Sequence, residues 1–176
     1  MFSHIFTKFP EPGNPVYLDR YSGQSLPELL ELGSQFRIDS LVLIITDRLM
    51  AKSDERPLTA SESAIVAVVC FEMEVSNGGL AQFFYNSTNK FAAVLVESLL
   101  ALNCPKCADI ASRAIAVLNL KDLSDLNAIR GRVNCKEADE WFRPLDDEFF
   151  ANPDGDIAEL AWSFIEANRD SISISA

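Results

Sequence analysis

The chain offers few residues of the kinds that make and break bonds. Its one histidine, His4, sits among Pro10, Pro12 and Pro15, where nothing anchors it. A Ser-His-Asp or Cys-His arrangement would have to recruit that residue, so the sequence predicts no nucleophilic centre and no catalytic residue. Cys104-Pro105-Lys106-Cys107 has the spacing of a redox dithiol, and a helix start there would lower a thiol pKa. No βαβ pattern surrounds it, and a zinc site would need Cys70 and Cys135, each isolated in the sequence. The cysteines are read as packed thiols, with no metal and no cofactor expected. Asn152-Pro153-Asp154-Gly155-Asp156 has some of the oxygen ligands of a calcium loop. Its glycine falls between the second and third candidate ligands rather than after the third, and Ser163 stands where the twelfth-position glutamate belongs, so it is read as a turn feeding a helix. The carboxylate pairs Asp146-Asp147 and Glu72 with Glu74 are read as solvated acidic surface.

The most specific stretch runs from Glu72 to Ser87, E-M-E-V-S-N-G-G-L-A-Q-F-F-Y-N-S. Its physics is that of a tight junction between two helices. Gly78 and Gly79 permit close backbone approach and the left-handed conformation that closes a helix. Phe83 and Phe84 anchor the second helix, and Glu74, Asn77, Gln82 and Asn86 can satisfy the backbone groups freed at the break. The same amides and carboxylate could instead line a ligand-binding or catalytic pocket, and both readings stand at this point.

The elements that position these residues are helical. Ile38, Leu41, Val42, Ile45 and Leu49 form one apolar stripe, and a polar loop from Lys52 to Pro57 lies beyond it. Thr59-Ala60-Ser61-Glu62 has the spacing of a capping box and opens a run to Phe71 that is apolar on nearly every side, the pattern of a central core helix. Further stripes are Phe91, Val94, Leu95, Leu99 and Leu102; then Ile110, Ala111, Ala114, Val117 and Leu118, opened by Pro105; then Ile157, Leu160, Ala161, Phe164 and Ile165. Trp141-Phe142-Arg143-Pro144 is expected to interrupt one helix and start a short one through Phe150. The expected fold is all-α: a single compact multi-helix domain over residues 26–176, behind an irregular Pro-rich N-terminal arm over residues 1–25.

The chain has 176 residues, 26 acidic and 15 basic, for a formal charge of −11. A surface this acidic repels nucleic acid and anionic membranes; it serves solubility, and it attracts basic partners. The longest uninterrupted apolar run, Ala64 to Phe71, is far shorter than the roughly 20 residues that cross a bilayer. With no secretory pattern at the start, a cytoplasmic protein is expected.

The Glu74–Ser87 stretch resembles the signature of a bacterial family, domain of unknown function 4375, which includes DNA mimic protein 19. That signature reads roughly E-(V/I)-x-N-G-G-F-x-Q-F-F-x-N and is matched here by Glu74, Asn77, Gly78, Gly79, Gln82, Phe83, Phe84 and Asn86, with Leu80 in place of the usual Phe. Ala101 to Ile110 is similar to the family's A-L-x-x-I-G-A-P-K-A-A-x-I-L, and Leu145 to Phe150 to its L-D-x-x-F-(F/Y) segment. The resemblance spans about Thr59 to Asn168. It implies an all-α fold, hints at a homodimer, and brings in the idea of an acidic surface that imitates duplex DNA and occupies the DNA-binding face of a transcription regulator.

From Glu137 to Glu166 there are ten acids against one base, Arg143. Helix neighbours three or four positions apart lie about 5–6 Å from each other, so a helical face can approximate the spacing of phosphates. Asp139, Glu140, Asp146, Asp147, Glu148, Asp154, Asp156 and Glu159 are accordingly the expected contacts to a basic protein, while Arg113, Arg130 and Arg132 compete for some of them. The expected function is that of a non-enzymatic interaction protein. Its rivals are a pocket at Glu74, Asn77, Gln82 and Asn86, and an immunity-type inhibitor of a different basic protein.

Overall fold

The structure, a computed structural model, describes residues 15–135 and 137–174. His4, Pro10 and Pro12 lie outside the described residues. Among the described residues there are eight α-helices and no strand: α1 (Leu26–Glu31), α2 (Ile38–Ser53), α3 (Ala60–Tyr85), α4 (Ala92–Ala101), α5 (Pro105–Leu118), α6 (Leu126–Val133), α7 (Ala138–Phe150) and α8 (Ile157–Ala167). Ahead of α1 the backbone is irregular and lies against α2: Arg37 donates its N–H to the Val16 carbonyl at 2.9 Å, and Leu18 donates to Ser40 Oγ at 3.0 Å.

The axis of the molecule is α3. Ala64 through Phe71 are all buried, so the run is covered on every side, and α2, α4, α6, α7 and α8 all pack on this helix. By length and composition α3 could cross a bilayer, but its apolar side chains are the protein core. It begins at the capping box the sequence predicts: Glu62 donates its N–H to Thr59 Oγ1 at 3.2 Å, and Thr59 donates its own to Glu62 Oε2 at 2.9 Å.

Several boundaries differ from the sequence expectation. The helix α2 runs to Ser53, two residues into the expected loop. Trp141 to Pro144 do not interrupt a helix; α7 is continuous, with Pro144 inside it. Phe142, Leu145 and Phe149 recur at helical spacing and are buried, which holds the helix together through the proline. The carbonyl that Pro144 cannot serve belongs to exposed Glu140 on the solvent side. Val94 is exposed rather than part of its stripe, and Trp162 is buried beside the expected residues of α8. Asp125 caps α6, an element too short to show a stripe in the sequence, by accepting the Ala128 N–H at 2.9 Å.

Glu62 does more than cap. Its carboxylate is fully buried and holds the Arg56 guanidinium through two contacts of 2.8 Å, while also accepting the Ser173 N–H at 3.0 Å. Burial by itself would raise this carboxyl; the Arg56 hydrogen bonds and charge and the N–H groups of Thr59 and Ser173 outweigh it and bring it down to about 2. A carboxyl depressed below its unfolded value of 4.5 stabilises the fold fully above that pH, and the contribution is lost as pH falls from there toward 2. Glu62→Gln should cost about 1–3 kcal/mol at neutral pH, because a buried amide cannot accept from Arg56, Thr59 and Ser173 together as the carboxylate does. It should also flatten the stability profile between pH 5 and 2 in urea titrations. A variant whose profile falls as steeply as the parent's would assign the acid sensitivity elsewhere.

Candidate functional site

The central helix is broken where the sequence places two glycines. Gly78 and Gly79 leave helical geometry, Gly79 with φ 76° and ψ 179°, and the helix resumes through Leu80 to Tyr85. A side chain at Gly79 would meet strain from the positive φ and would also press on Asp146, 2.8 Å from where a Cβ would stand. The break frees the Leu80 N–H, and Asp146 Oδ1 on α7 accepts it at 2.8 Å. Phe71 before the break packs edge-on against Phe83 after it and against Phe149 on α7, with centroids 5.2 and 5.5 Å apart, and Phe84 stacks on Phe142 at 5.7 Å. The two halves of α3 and α7 are thus one packed unit.

The signature polar residues do something other than the expected capping. Glu74 Oε2 accepts from Gln82 Nε2 and from Asn86 Nδ2, each at 2.7 Å, and its Oε1 accepts from the Thr88 hydroxyl at 3.2 Å. Any side chain at Gly78 would collide with the Gln82 amide carbonyl, so this glycine makes room for the amide that reaches Glu74. Glu74, Asn77, Gln82, Asn86 and Thr88 line one recess of about 390 Å³ together with Cys70 and Met73. Glu72 is not part of it. That carboxyl is half-buried, bonds Ser76 Oγ at 3.2 Å and lines separate clefts with Asp156; burial, with the Asp156 charge adding, raises its pKa.

The acids of residues 137–166 divide into two kinds. Asp146 is turned inward onto Leu80, and burial raises its carboxyl above the usual range against that hydrogen bond. Asp154 accepts the N–H groups of Lys106 and Cys107, at 3.2 and 2.7 Å, and so closes the N-terminus of α5. Asp156 caps α8 through the Ala158 N–H at 2.9 Å while staying exposed, which bears out the reading of the Asn152–Asp156 segment as a turn between helices. Asp139, Glu140, Asp147 and Glu159 are exposed. Glu148 is exposed and ion-paired with Arg113, which also holds Asp109 at 2.9 Å. Arg130 and Arg132 are engaged elsewhere, donating to the carbonyls of Tyr85 and Leu118 at 3.0 and 2.8 Å.

The two cysteines of the C-P-K-C segment are buried as free thiols. Burial raises Cys104 to about 11, and burial with the Asp154 carboxylate raises Cys107 to about 12, so neither carries thiolate at neutral pH. Cys70 is raised by burial to about 11.

A broken central helix clamped by a carboxylate, with exposed acids on the clamping helix, defines a rigid, acidic, all-α scaffold. The family model described as DMP19-like protein matches residues 56–168, and the chain belongs to that family. No curated protein and no solved structure matches the chain.

Gly79→Ala should destabilise the fold by about 2 kcal/mol through strain and the lost Asp146 contact, and Asp146→Ala by about 1–3 kcal/mol through the unpaired Leu80 N–H. Urea unfolding measures both, and a change within about 0.5 kcal/mol for either would mean that the break is not held in this way. Native-state thiol titration at pH 8 should detect Cys135 alone, with Cys70, Cys104 and Cys107 reacting only on unfolding. Fast modification of Cys104 or Cys107 would restore the redox reading.

Proposed function

We propose that this protein is a non-enzymatic, cytoplasmic acidic binding protein whose α7–α8 face occupies the DNA-binding surface of a basic partner, in the manner of a DNA mimic acting on a transcription regulator. The observation that carries the reading is the set of exposed carboxylates Asp139, Glu140, Asp147 and Glu159, which enter no ion pair among the described residues, on two helices where Arg143 is the one cation of the window. Membership of the DMP19-like family supports it. The scaffold meets the physical requirement: the acids sit on helices locked to the core, so their spacing is set before the partner arrives and less ordering entropy is lost on binding. Duplex DNA is repelled by the same face, and a homodimer would double it.

Charge reversal has to spare Asp146, which belongs to the helix break. Immobilised protein should capture a DNA-binding protein from lysate of the source cells at about 50 mM salt, lose most of it by about 200 mM, and release it to duplex DNA. Combined Asp139→Lys, Glu140→Lys and Asp147→Lys should weaken that capture at least about ten-fold, or about 1.4 kcal/mol, with the helical circular dichroism unchanged. Capture that survives the triple variant would exclude this face as the contact surface. A captured basic protein that DNA leaves bound would favour an inhibitor of another class of target.

A further inference from the structure

Among the described residues, Glu74 is a half-buried carboxylate without a counter-ion. Among the described residues it enters no ion pair, and the groups it bonds, the Gln82 and Asn86 amides and the Thr88 hydroxyl, are neutral. The ammonium of Lys90, a cation of this neighbourhood, is occupied with Ser53 Oγ at 3.4 Å and with the face of the Phe91 ring. A carboxylate taken partly out of water in this way gains from a cation brought to it.

The groups that Glu74 bonds all act as donors toward it. A carboxylate accepts only, so Gln82 and Asn86 turn their N–H groups toward it, and the Gln82 carbonyl then lies over Gly78, where a Cβ would collide with it. Asn77 adds an exposed amide at the same recess, and its side chain makes no hydrogen bond within the described residues. Met73 and Cys70 supply apolar wall. A recess of about 390 Å³ with an apolar wall, one negative charge and the uncommitted amide of Asn77 suits a long side chain that carries a flat, many-donor cation on an aliphatic stem. An arginine presents five N–H donors in a plane, an ammonium three on a point charge.

We propose that the recess at the break of α3 is a guanidinium site that takes an arginine side chain. It rests on the function proposed above in one respect, that the arginine belongs to the basic partner. The site would then anchor one residue of that partner while the exposed acids steer the rest, and the glycine pair would serve to assemble it: Gly78 admits the Gln82 amide and Gly79 returns the chain so that Asn86 reaches Glu74.

The test uses small probes and needs no partner. N-acetyl-arginine amide, titrated into the full chain, should shift the side-chain amide resonances of Gln82 and Asn86 saturably, with a Kd of about 1–10 mM. The neutral citrulline counterpart should not bind, and the lysine counterpart should bind at least about three-fold more weakly. Glu74→Gln should weaken arginine binding about ten-fold. Should that variant lose its fold, Asn77→Lys, at an exposed position, places an ammonium at the recess and should block the probe equally. Equal binding of citrulline or lysine, shifts confined to α7 and α8, or unchanged binding in Asn77→Lys would overturn the proposal. Capture of a DNA-displaceable partner by a protein whose recess ignores the arginine probe would overturn this site alone. Recess binding with no such partner would leave the site standing and remove the function proposed for the α7–α8 face.

Discussion

A backbone N–H taken out of water must find an acceptor, and at Leu80 the helix cannot supply one, because Gly78 and Gly79 have turned the chain out of helical register. The acceptor comes from Asp146 on α7. That bond, together with the packing of Phe149 on Phe71 and of Phe142 on Phe84, holds α7 against the core helix and leaves its other face to water. With Asp146 turned in, and Phe142, Leu145 and Phe149 buried along the same side, Asp139, Glu140 and Asp147 have nowhere to go but outward. The recess around Glu74 forms on the same break, because the changed course of the chain brings Gln82 and Asn86 back toward a carboxylate one turn before the glycines.

The acidity of this chain is therefore not one property. Glu62, Asp146, Asp154 and Asp156 accept backbone N–H groups and act as structural fasteners, each a carboxylate doing locally what a cap or a ladder does elsewhere. Removing them would alter the fold before it altered any interaction. Asp139, Glu140, Asp147 and Glu159 accept no backbone N–H among the described residues, and their cost is mutual repulsion, which a rigid scaffold tolerates and a cationic partner relieves. A formal charge of −11 sums the two kinds and conceals the difference.

Features set by neighbours in sequence are legible there. The Thr59–Glu62 capping box, the apolar run to Phe71, Pro105 at a helix start and the Gly78–Gly79 break each depend on residues within about four positions, and each stands where the pattern places it. The illegible features are long-range. Leu80 and Asp146 are 66 residues apart, and nothing local in L-D-D-E distinguishes the inward aspartate from the outward one. Pro144 reads as a breaker because its cost is local, whereas the three buried apolar residues that outweigh it gain their energy from α3 and α5. For the recess, the four polar residues can be gathered from the sequence, but their partners cannot: amides expected to cap backbone converge instead on Glu74.

The attachment at Glu62 also has a topological meaning. Through one carboxylate it joins Arg56, ahead of the core helix, to Ser173, beyond the last one, while Ile172 and Ile174 are buried in the core beside it. The intervening chain, the whole stretch that the family shares, is closed into a ring by non-covalent contacts. Opening either end of this stretch breaks contacts made by the other at Glu62, so the fraying of the two ends is coupled.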